Sequence, residues 1–261
     1  MIARKSTIIF AIVLVGWGIL GLVKGDFAAG WQPVPASFPL RLALVYLTAF
    51  VCVACGVGLL VQRTTALAAR VLFVWLMAWL LLLRIPWMFV DFGVGTWWSA
   101  SSTAVITETA WILDISRSDY EKPLGFIVNN NGLRLARALF GLGLIPIGLA
   151  HFLYVDATAP LVPAWLQWPY FWAYFTGATF IAAGVAIIIG IFARLAALLV
   201  TIQIGLLTVL IWVPRSIEGI LTPFQWGEFV VSIVLTACAL VVADSYKGTP
   251  LFAARSNDQL K

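Results

Sequence analysis

Long apolar runs separated by short polar segments dominate the sequence. The hydrocarbon core of a bilayer is about 30 Å thick and an α-helix rises about 1.5 Å per residue, so a crossing helix needs roughly 17 to 25 apolar residues. A β-barrel would instead show segments of about ten residues that alternate between apolar and polar. The pattern predicts eight transmembrane helices at residues 7–23, 42–61, 66–89, 97–115, 138–155, 170–192, 195–213 and 224–243.

The fourth run, 97–115, is the least apolar of the eight. It opens with Trp97, Trp98 and several small hydroxyl residues, and it carries Glu108. Two interpretations are open for this segment: a complete span, or a helix that lies in the interface or re-enters the membrane.

The positions of the lysine and arginine residues favour eight spans. With eight, both termini share one side, and that side receives twelve of the 16 basic residues. The opposite side receives only Lys24, Arg41, Arg84 and Arg215. The positive-inside rule assigns the richer side to the cytoplasm. Removing the fourth span would place Arg134, Arg137 and the basic tail outside, so the sequence predicts eight spans with both termini cytoplasmic.

Composition agrees with a lipid environment. The chain is 62% hydrophobic and only 10% charged, with a mean hydropathy of +1.02, whereas charged residues usually supply about a quarter of a water-soluble protein. The lipid bilayer is therefore the predicted surrounding. The net charge of +5 does not predict nucleic-acid binding, because the basic residues form no stripe with exposed aromatics. No zinc-type spacing or P-loop indicates a metal or nucleotide site.

The two halves of the chain are related by a shift of 128 residues. Residues 45–86 align with 173–214 without a gap, and the matched positions include Gly56 with Gly184 and Pro86 with Pro214. Because each half has an even number of spans, both would insert in the same orientation. We therefore predict an all-α membrane protein of two tandem four-helix bundles: residues 1–115, a cytoplasmic linker 116–133, residues 134–246, and a cytoplasmic tail 247–261.

The second half resembles the DoxX family of small four-helix bacterial inner-membrane proteins over residues 134–244. The resemblance is carried by LRLARALFGLG at 133–143, GLAHF at 148–152, Pro163, YFTG at 174–177, and AGV at 183–185 with Arg194 after it. The first half departs from this pattern, since Val23 and Lys24 stand in place of His151 and Phe152.

The resemblance implies a multi-pass protein of the bacterial inner membrane. Relatives in the family include a subunit of a thiosulfate to quinone oxidoreductase and partners of redox enzymes. We accordingly expect a membrane subunit or scaffold for a redox protein partner, not catalytic alone, with quinone as the cofactor it would meet. The alternative is a small-molecule transporter or channel built from parallel repeats, for which the internal duplication and Glu108 are the supporting features.

Five ionisable residues are candidates for binding. His151, the single histidine, either relays protons or contacts a quinone oxygen, or it is a polar cap at the end of the fifth helix. Glu228 either pairs with His151 or Arg215 or is hydrated at the interface. Glu108 falls near mid-membrane, where an unpaired charge is costly, so we expect it to be protonated, paired or next to a cavity. Interfacial anchoring is the favoured role for Arg84 and Arg215.

A cysteine pair in the second helix, Cys52 and Cys55, has the C-x-x-C spacing that redox proteins use. A redox pair normally lies at a helix N-terminus, which lowers the pKa of a thiol. Because this pair falls within a predicted span, small apolar packing residues are the favoured interpretation.

Overall fold

The computed structural model describes residues 4–27, 34, 38–117 and 130–254. These residues form eight long helices and no strand, which confirms the predicted all-α class for this part of the chain. The helices are α1 (Lys5–Lys24), α2 (Arg41–Leu60), α3 (Thr65–Val90), α4 (Val94–Arg117), α5 (Asn130–Leu153), α6 (Pro169–Ile189), α7 (Ala193–Ile217) and α8 (Pro223–Ser245). Two short helical turns, Val155–Thr158 and Ala159–Leu161, connect α5 to α6.

The helix boundaries follow the predicted runs closely except at the start of α5. This helix begins at Asn130, inside the predicted linker 116–133, because polar residues continue the helix beyond its apolar stretch. A hydropathy pattern registers only the apolar part of a helix. The remainder of the linker, 118–129, and the tail residues 255–261 lie outside the described residues.

Seven of the eight helices are long and apolar enough to cross a membrane, and the chain is a multi-pass helical membrane protein. The remaining long helix, α4, is long enough to cross a membrane, but its sequence is less apolar than those of the other seven. Its backbone begins beside Tyr154, whose hydroxyl accepts a hydrogen bond from the Gly95 N–H (3.1 Å). Towards its other end Asp114 forms an ion pair with Arg70, close to the start of α3 (3.0 Å). Helix α4 therefore runs the length of its neighbours, about 36 Å for 24 residues.

The start of α1 and the end of α8 lie at one end of the bundle, called the terminal end below. The Ser6 hydroxyl at the start of α1 donates to Asp244 near the end of α8 (2.8 Å). Lys247 and Arg4 flank the same carboxylate at 2.7 and 3.8 Å. These contacts tie the first helix to the last.

The opposite end, called the far end, carries the turn between α3 and α4. Asp91 accepts hydrogen bonds from the Thr96 hydroxyl (2.6 Å) and the Gly93 N–H (3.0 Å). These bonds stabilise the ionised carboxylate and hold the pKa of Asp91 below its usual range. The turn thus reverses the chain and starts α4.

The helices form two rings that share α4 and α8. One ring follows the contacts α1–α2–α3–α4–α8 and returns to α1, and the other follows α5–α6–α7–α8–α4 and returns to α5. The fourth helix of each half therefore packs against the first helix of the other half. The two halves are interlocked along these contacts.

Two of the backbone irregularities recur 128 residues apart, whereas the positive φ angle of Phe192 (51°) has no counterpart at Thr64 (−107°). A π-helical segment occupies Leu80–Arg84 in α3 and Thr208–Trp212 in α7. The residues before α2 and α6, Leu40 and Trp168, both have positive φ angles, 63° and 58°. Such features are uncommon in non-glycine residues. Their coincidence supports the gapless alignment read from the sequence.

Helices α5 and α6 approach most closely where two pairs of glycines face each other. A Cβ on Gly184 would lie 2.5 Å from the Gly141 carbonyl oxygen, and a Cβ on Gly177 would lie 2.7 Å from the Gly148 carbonyl oxygen. No real Cβ atom tolerates these distances. Small residues allow this close approach in membranes, where packing drives helix association.

We expect Gly184→Ala to separate α5 from α6 and to lower the free energy of unfolding by about 1–3 kcal/mol, as overpacking does. The measurement is the thermal denaturation midpoint, Tm, of the purified protein in detergent. The matched control is Gly16→Ala, because a Cβ at Gly16 in α1 meets nothing within 4 Å. Equal Tm values for the two variants would contradict the close crossing.

Candidate functional site

His151 lies in the last turn of α5 and packs against α6. Its Nδ1 atom is 2.9 Å from the Ile147 carbonyl oxygen, and its ring lies 5.5 Å from the Phe180 ring, centroid to centroid. A carbonyl only accepts hydrogen bonds, so Nδ1 carries the proton. In the neutral ring Nε2 then keeps a lone pair. His151 is half-buried, which leaves part of this ring accessible.

The other far-end candidates have separate surroundings. Arg215 donates from Nη2 to the Pro160 carbonyl (2.8 Å), and Asp156 accepts from the Tyr170 hydroxyl (3.4 Å). Glu228 is half-buried in the second turn of α8. Among the residues that the structure describes, no hydrogen bond or ion pair joins Glu228 to His151 or to Arg215. The structure therefore places these side chains at one end without a bond between them.

Arg84 is buried inside the first half, with 3% of its surface exposed. The buried face of α3 includes Ala69, Leu72, Leu76 and Trp79 at helical spacing. A regular α-helix would continue this face with position 83. The π-helical segment places five residues in that turn, so Arg84 takes the buried position instead. The guanidinium makes no hydrogen bond or ion pair in the described part of the chain, and its Nη2 atom is fully enclosed.

Glu108 lies near the middle of α4 and is 5% exposed. Its Oε2 atom is enclosed and has no hydrogen-bond partner. The carboxyl group is close enough to Cys238 of α8 for the two side chains to interact electrostatically. Burying an ionisable group without a partner costs several kcal/mol or more, and such groups within a membrane mark functional sites by default.

Along the bundle axis, the side chains of Arg84 and Glu108 are expected to lean towards the same interval. The pairing of Arg70 with Asp114 sets the antiparallel register of α3 and α4, and it separates Arg84 from Glu108 by roughly 12 Å of helix rise. A helical side chain leans towards the N-terminus of its own helix. Arg84 thus leans from the far end towards the middle, and Glu108 leans from the middle towards the far end.

Two further polar atoms without partners lie in the same half. Thr48 Oγ1 in α2 and Trp75 Nε1 in α3 are enclosed and unbonded. The register of α3 against α4 places Trp75 at nearly the depth of Glu108. Sequence analysis did not single out Thr48 or Trp75. No sequence signal marks Thr48, because the second half carries threonine, Thr176, at the equivalent position.

The equivalent positions of the second half are satisfied. Gln203, which corresponds to Trp75, donates to the carbonyl of Thr176, which corresponds to Thr48 (3.1 Å). Thr236 stands where Glu108 would fall and donates to the Ser232 carbonyl (2.7 Å). Trp212 takes the place of Arg84. Of the sequence candidates, His151, Arg215 and Glu228 belong to the second half, whereas the unpartnered groups Thr48, Trp75, Arg84 and Glu108 belong to the first.

The three cysteines are buried and carry free thiols. Cys52 and Cys55 lie on the buried side of α2, where they pack in the core beside Leu59. Among the described residues no group of three or more His, Cys, Asp or Glu side chains is placed to hold a metal ion.

The two buried acids of α4 differ in their partners, and this difference is testable. Asp114 accepts from both Nε and Nη2 of Arg70 (3.2 and 3.0 Å). We expect Asp114→Asn to lower the free energy of unfolding by about 1–2 kcal/mol, because a charge-assisted bidentate contact is lost. The control Glu108→Gln breaks no such contact and should leave the free energy of unfolding unchanged or raise it, because an unpartnered buried acid is replaced by a neutral amide. Thermal denaturation in detergent measures both, and a larger loss for Glu108→Gln would contradict the assignment.

Comparison of the chain with family models, with curated protein sequences and with solved structures finds no match. The classification of the protein therefore rests on its own helices. Among the residues that the structure describes, seven helices are long and apolar enough to cross a bilayer, and the protein is a multi-pass helical membrane protein.

Proposed function

We propose that all eight helices cross the bacterial inner membrane, with both termini and the linker in the cytoplasm. The run of α4 from the far end to the terminal end supports an eighth span. The concentration of twelve basic residues on the side of the termini supports the orientation. In this arrangement the far end faces the periplasm.

Reporter fusions test this topology. Fusions after Lys261 and within the linker at Asn130 should both report the cytoplasm, and a fusion within the far-end turn at Phe92 should report the periplasm. A periplasmic signal from the Asn130 fusion would overturn the eight-span arrangement, because seven spans place that segment on the other side.

Within this membrane protein the function that we propose is a DoxX-like subunit that anchors a redox protein partner and binds a quinone. His151 is the observation that carries the proposal. With Nδ1–H donated to the Ile147 carbonyl, Nε2 is the atom that would accept a hydrogen bond from a quinol hydroxyl. Phe180 beside His151, and Phe152 beside Tyr174 (5.5 Å), supply an aromatic surface at the same crossing of α5 and α6. These residues suit a flat ring with polar oxygens.

A transporter or channel is the second candidate. It is favoured by Arg84 and Glu108, because charged groups held in a membrane interior without partners are typical of substrate and ion pathways. Flux of a solute into liposomes that contain the purified protein would support this function. Binding of a quinone and recovery of a redox partner without flux would support the subunit.

We expect a short-chain ubiquinone analogue to raise the Tm of the wild-type protein and to leave the Tm of His151→Phe unchanged. Phenylalanine keeps a ring at this position and removes Nε2. The control is Tyr170→Phe, which removes another far-end polar group and should respond as the wild type does. Affinity purification from native membranes, with identification of bound proteins and lipophilic molecules, tests the partner. An equal Tm shift in His151→Phe would remove His151 from the proposal.

A further inference from the structure

We propose that the first half of the bundle, between α3 and α4, binds a small molecule through an anionic oxygen group, a carboxylate or a phosphate, that is held by Arg84 and Glu108. The site is separate from His151 and from the α5–α6 crossing. Its test therefore does not depend on the quinone proposal, and either can fail alone.

The first argument is the charge of Arg84. An arginine stays protonated in proteins, so its burial at 3% exposure places a positive charge in a low-dielectric interior. The guanidinium has five N–H donors, and it forms no hydrogen bond or ion pair with the described residues. A buried charge is tolerated when it is paired and hydrogen-bonded. An anion that accepts from two of its N–H groups supplies both requirements.

The second argument is the position of Arg84 in the bundle. It lies six residues before Val90, the last residue of α3, which is about 9 Å from the far end of that helix. A regular helix would leave this position off the buried face, and the π-helical segment brings Arg84 onto it. An arginine that only anchored the helix at the interface would extend towards water.

Glu108 supplies the complementary group. Its carboxyl leans towards Arg84 across the roughly 12 Å of helix rise between them, yet no ion pair joins the two. A ligand that spans this interval along the axis would therefore meet the guanidinium at one end and the carboxyl at the other. A neutral carboxylic acid has an O–H that donates to a second oxygen of the same ligand.

The second half shows what this region looks like without such a site. Trp212 and Thr236 stand at the positions of Arg84 and Glu108, and Thr236 bonds its own helix backbone. That half keeps its helices and its π-helical segment with these residues. Arg84 and Glu108 are therefore not needed to build this architecture, which leaves recognition of a ligand as their role.

The ligand chemistry follows from the two groups. Arginine recognises carboxylates and phosphates through parallel N–H···O bonds, and it binds chloride without this geometry. A carboxylate of an organic acid, free phosphate and the phosphate of a lipid headgroup all offer these oxygens. Arg84 lies about 9 Å from the far end of α3, which is the end that all three would approach.

The experiment measures the Tm of the purified protein in detergent with acetate, inorganic phosphate or chloride at equal ionic strength. We expect acetate or phosphate, and not chloride, to raise the Tm of the wild type by about 5 °C once the ligand reaches 100 times its dissociation constant. A second arm compares vesicles of phosphatidylcholine alone with vesicles of phosphatidylcholine and phosphatidate. A shift in the first arm indicates a soluble anion, and a shift only in the second indicates a lipid headgroup.

The variants Arg84→Gln and Arg84→Lys distinguish binding from a structural role. Arg84→Gln should abolish the shift, and without anions its Tm should exceed that of the wild type because an unpaired buried charge has been removed. Arg84→Lys keeps the charge and should weaken anion binding at least tenfold, since lysine lacks the bidentate geometry. The control Arg215→Gln removes an arginine that already bonds Pro160 and should respond as the wild type does.

Three results would overturn the proposal. One is the absence of any Tm shift with acetate, phosphate or phosphatidate. Another is an equal shift in Arg84→Lys and the wild type. The third is a Tm of Arg84→Gln below that of the wild type in the absence of anions, which would indicate that Arg84 stabilises the fold by packing alone.

Discussion

A polar helix that is buried among apolar neighbours must supply hydrogen-bond acceptors for its own hydroxyl groups. Helix α4, which the rest of the bundle surrounds, does so. Helix α4 lies on both rings and contacts α3, α5 and α8. Its hydroxyl groups donate to carbonyl oxygens four residues earlier in the same helix, as seen at Ser102, Thr103, Thr107, Thr109 and Ser116. These local bonds let a polar sequence occupy the interior without water. The apolar neighbours then close around α4.

Because α4 and α8 belong to both rings, neither half of the chain closes a ring by itself. Each half has four consecutive helices, yet each ring needs a helix from the other half to close. The contact between α1 and α8 is reinforced at the terminal end by Ser6 and Asp244. The sequence repeat therefore does not coincide with the packing units: each repeat is four consecutive helices, whereas each ring contains helices of both repeats. The halves are similar in local backbone but depend on each other for burial.

The sequence predicted the helical elements well because their cause is local. Apolar runs of sufficient length specify membrane helices, and the eight runs correspond to the eight long helices of the described residues. The start of α5 at Asn130 was missed because polar residues extend a helix without an apolar signal. The pairing of helices across the halves was not predictable, since it depends on packing between segments far apart in the chain.

The candidate site was less accessible to sequence reasoning. Glu108 stood out as an acid within an apolar run, and its burial in the structure agrees with that position. Arg84 was interpreted as an interfacial anchor because it lies next to Pro86 at the predicted outer end of the third helix, and a regular α-helical spacing from Trp79 would not place it inside. Only the wider turn of the π-helical segment does so. Thr48 and Trp75 were missed because an unmet hydrogen bond is a property of the surroundings, not of the residue type.

The matched π-helical segments also carry information about the history of the gene. A π-helical turn holds one residue more than an α-helical turn, so it records a local gain in length. Both segments occur at the same place in an alignment that has no gap. An insertion after duplication would have left one copy a residue longer than the other. The matched segments are therefore what the predicted duplication would produce if the copied four-helix unit already carried the extra residue.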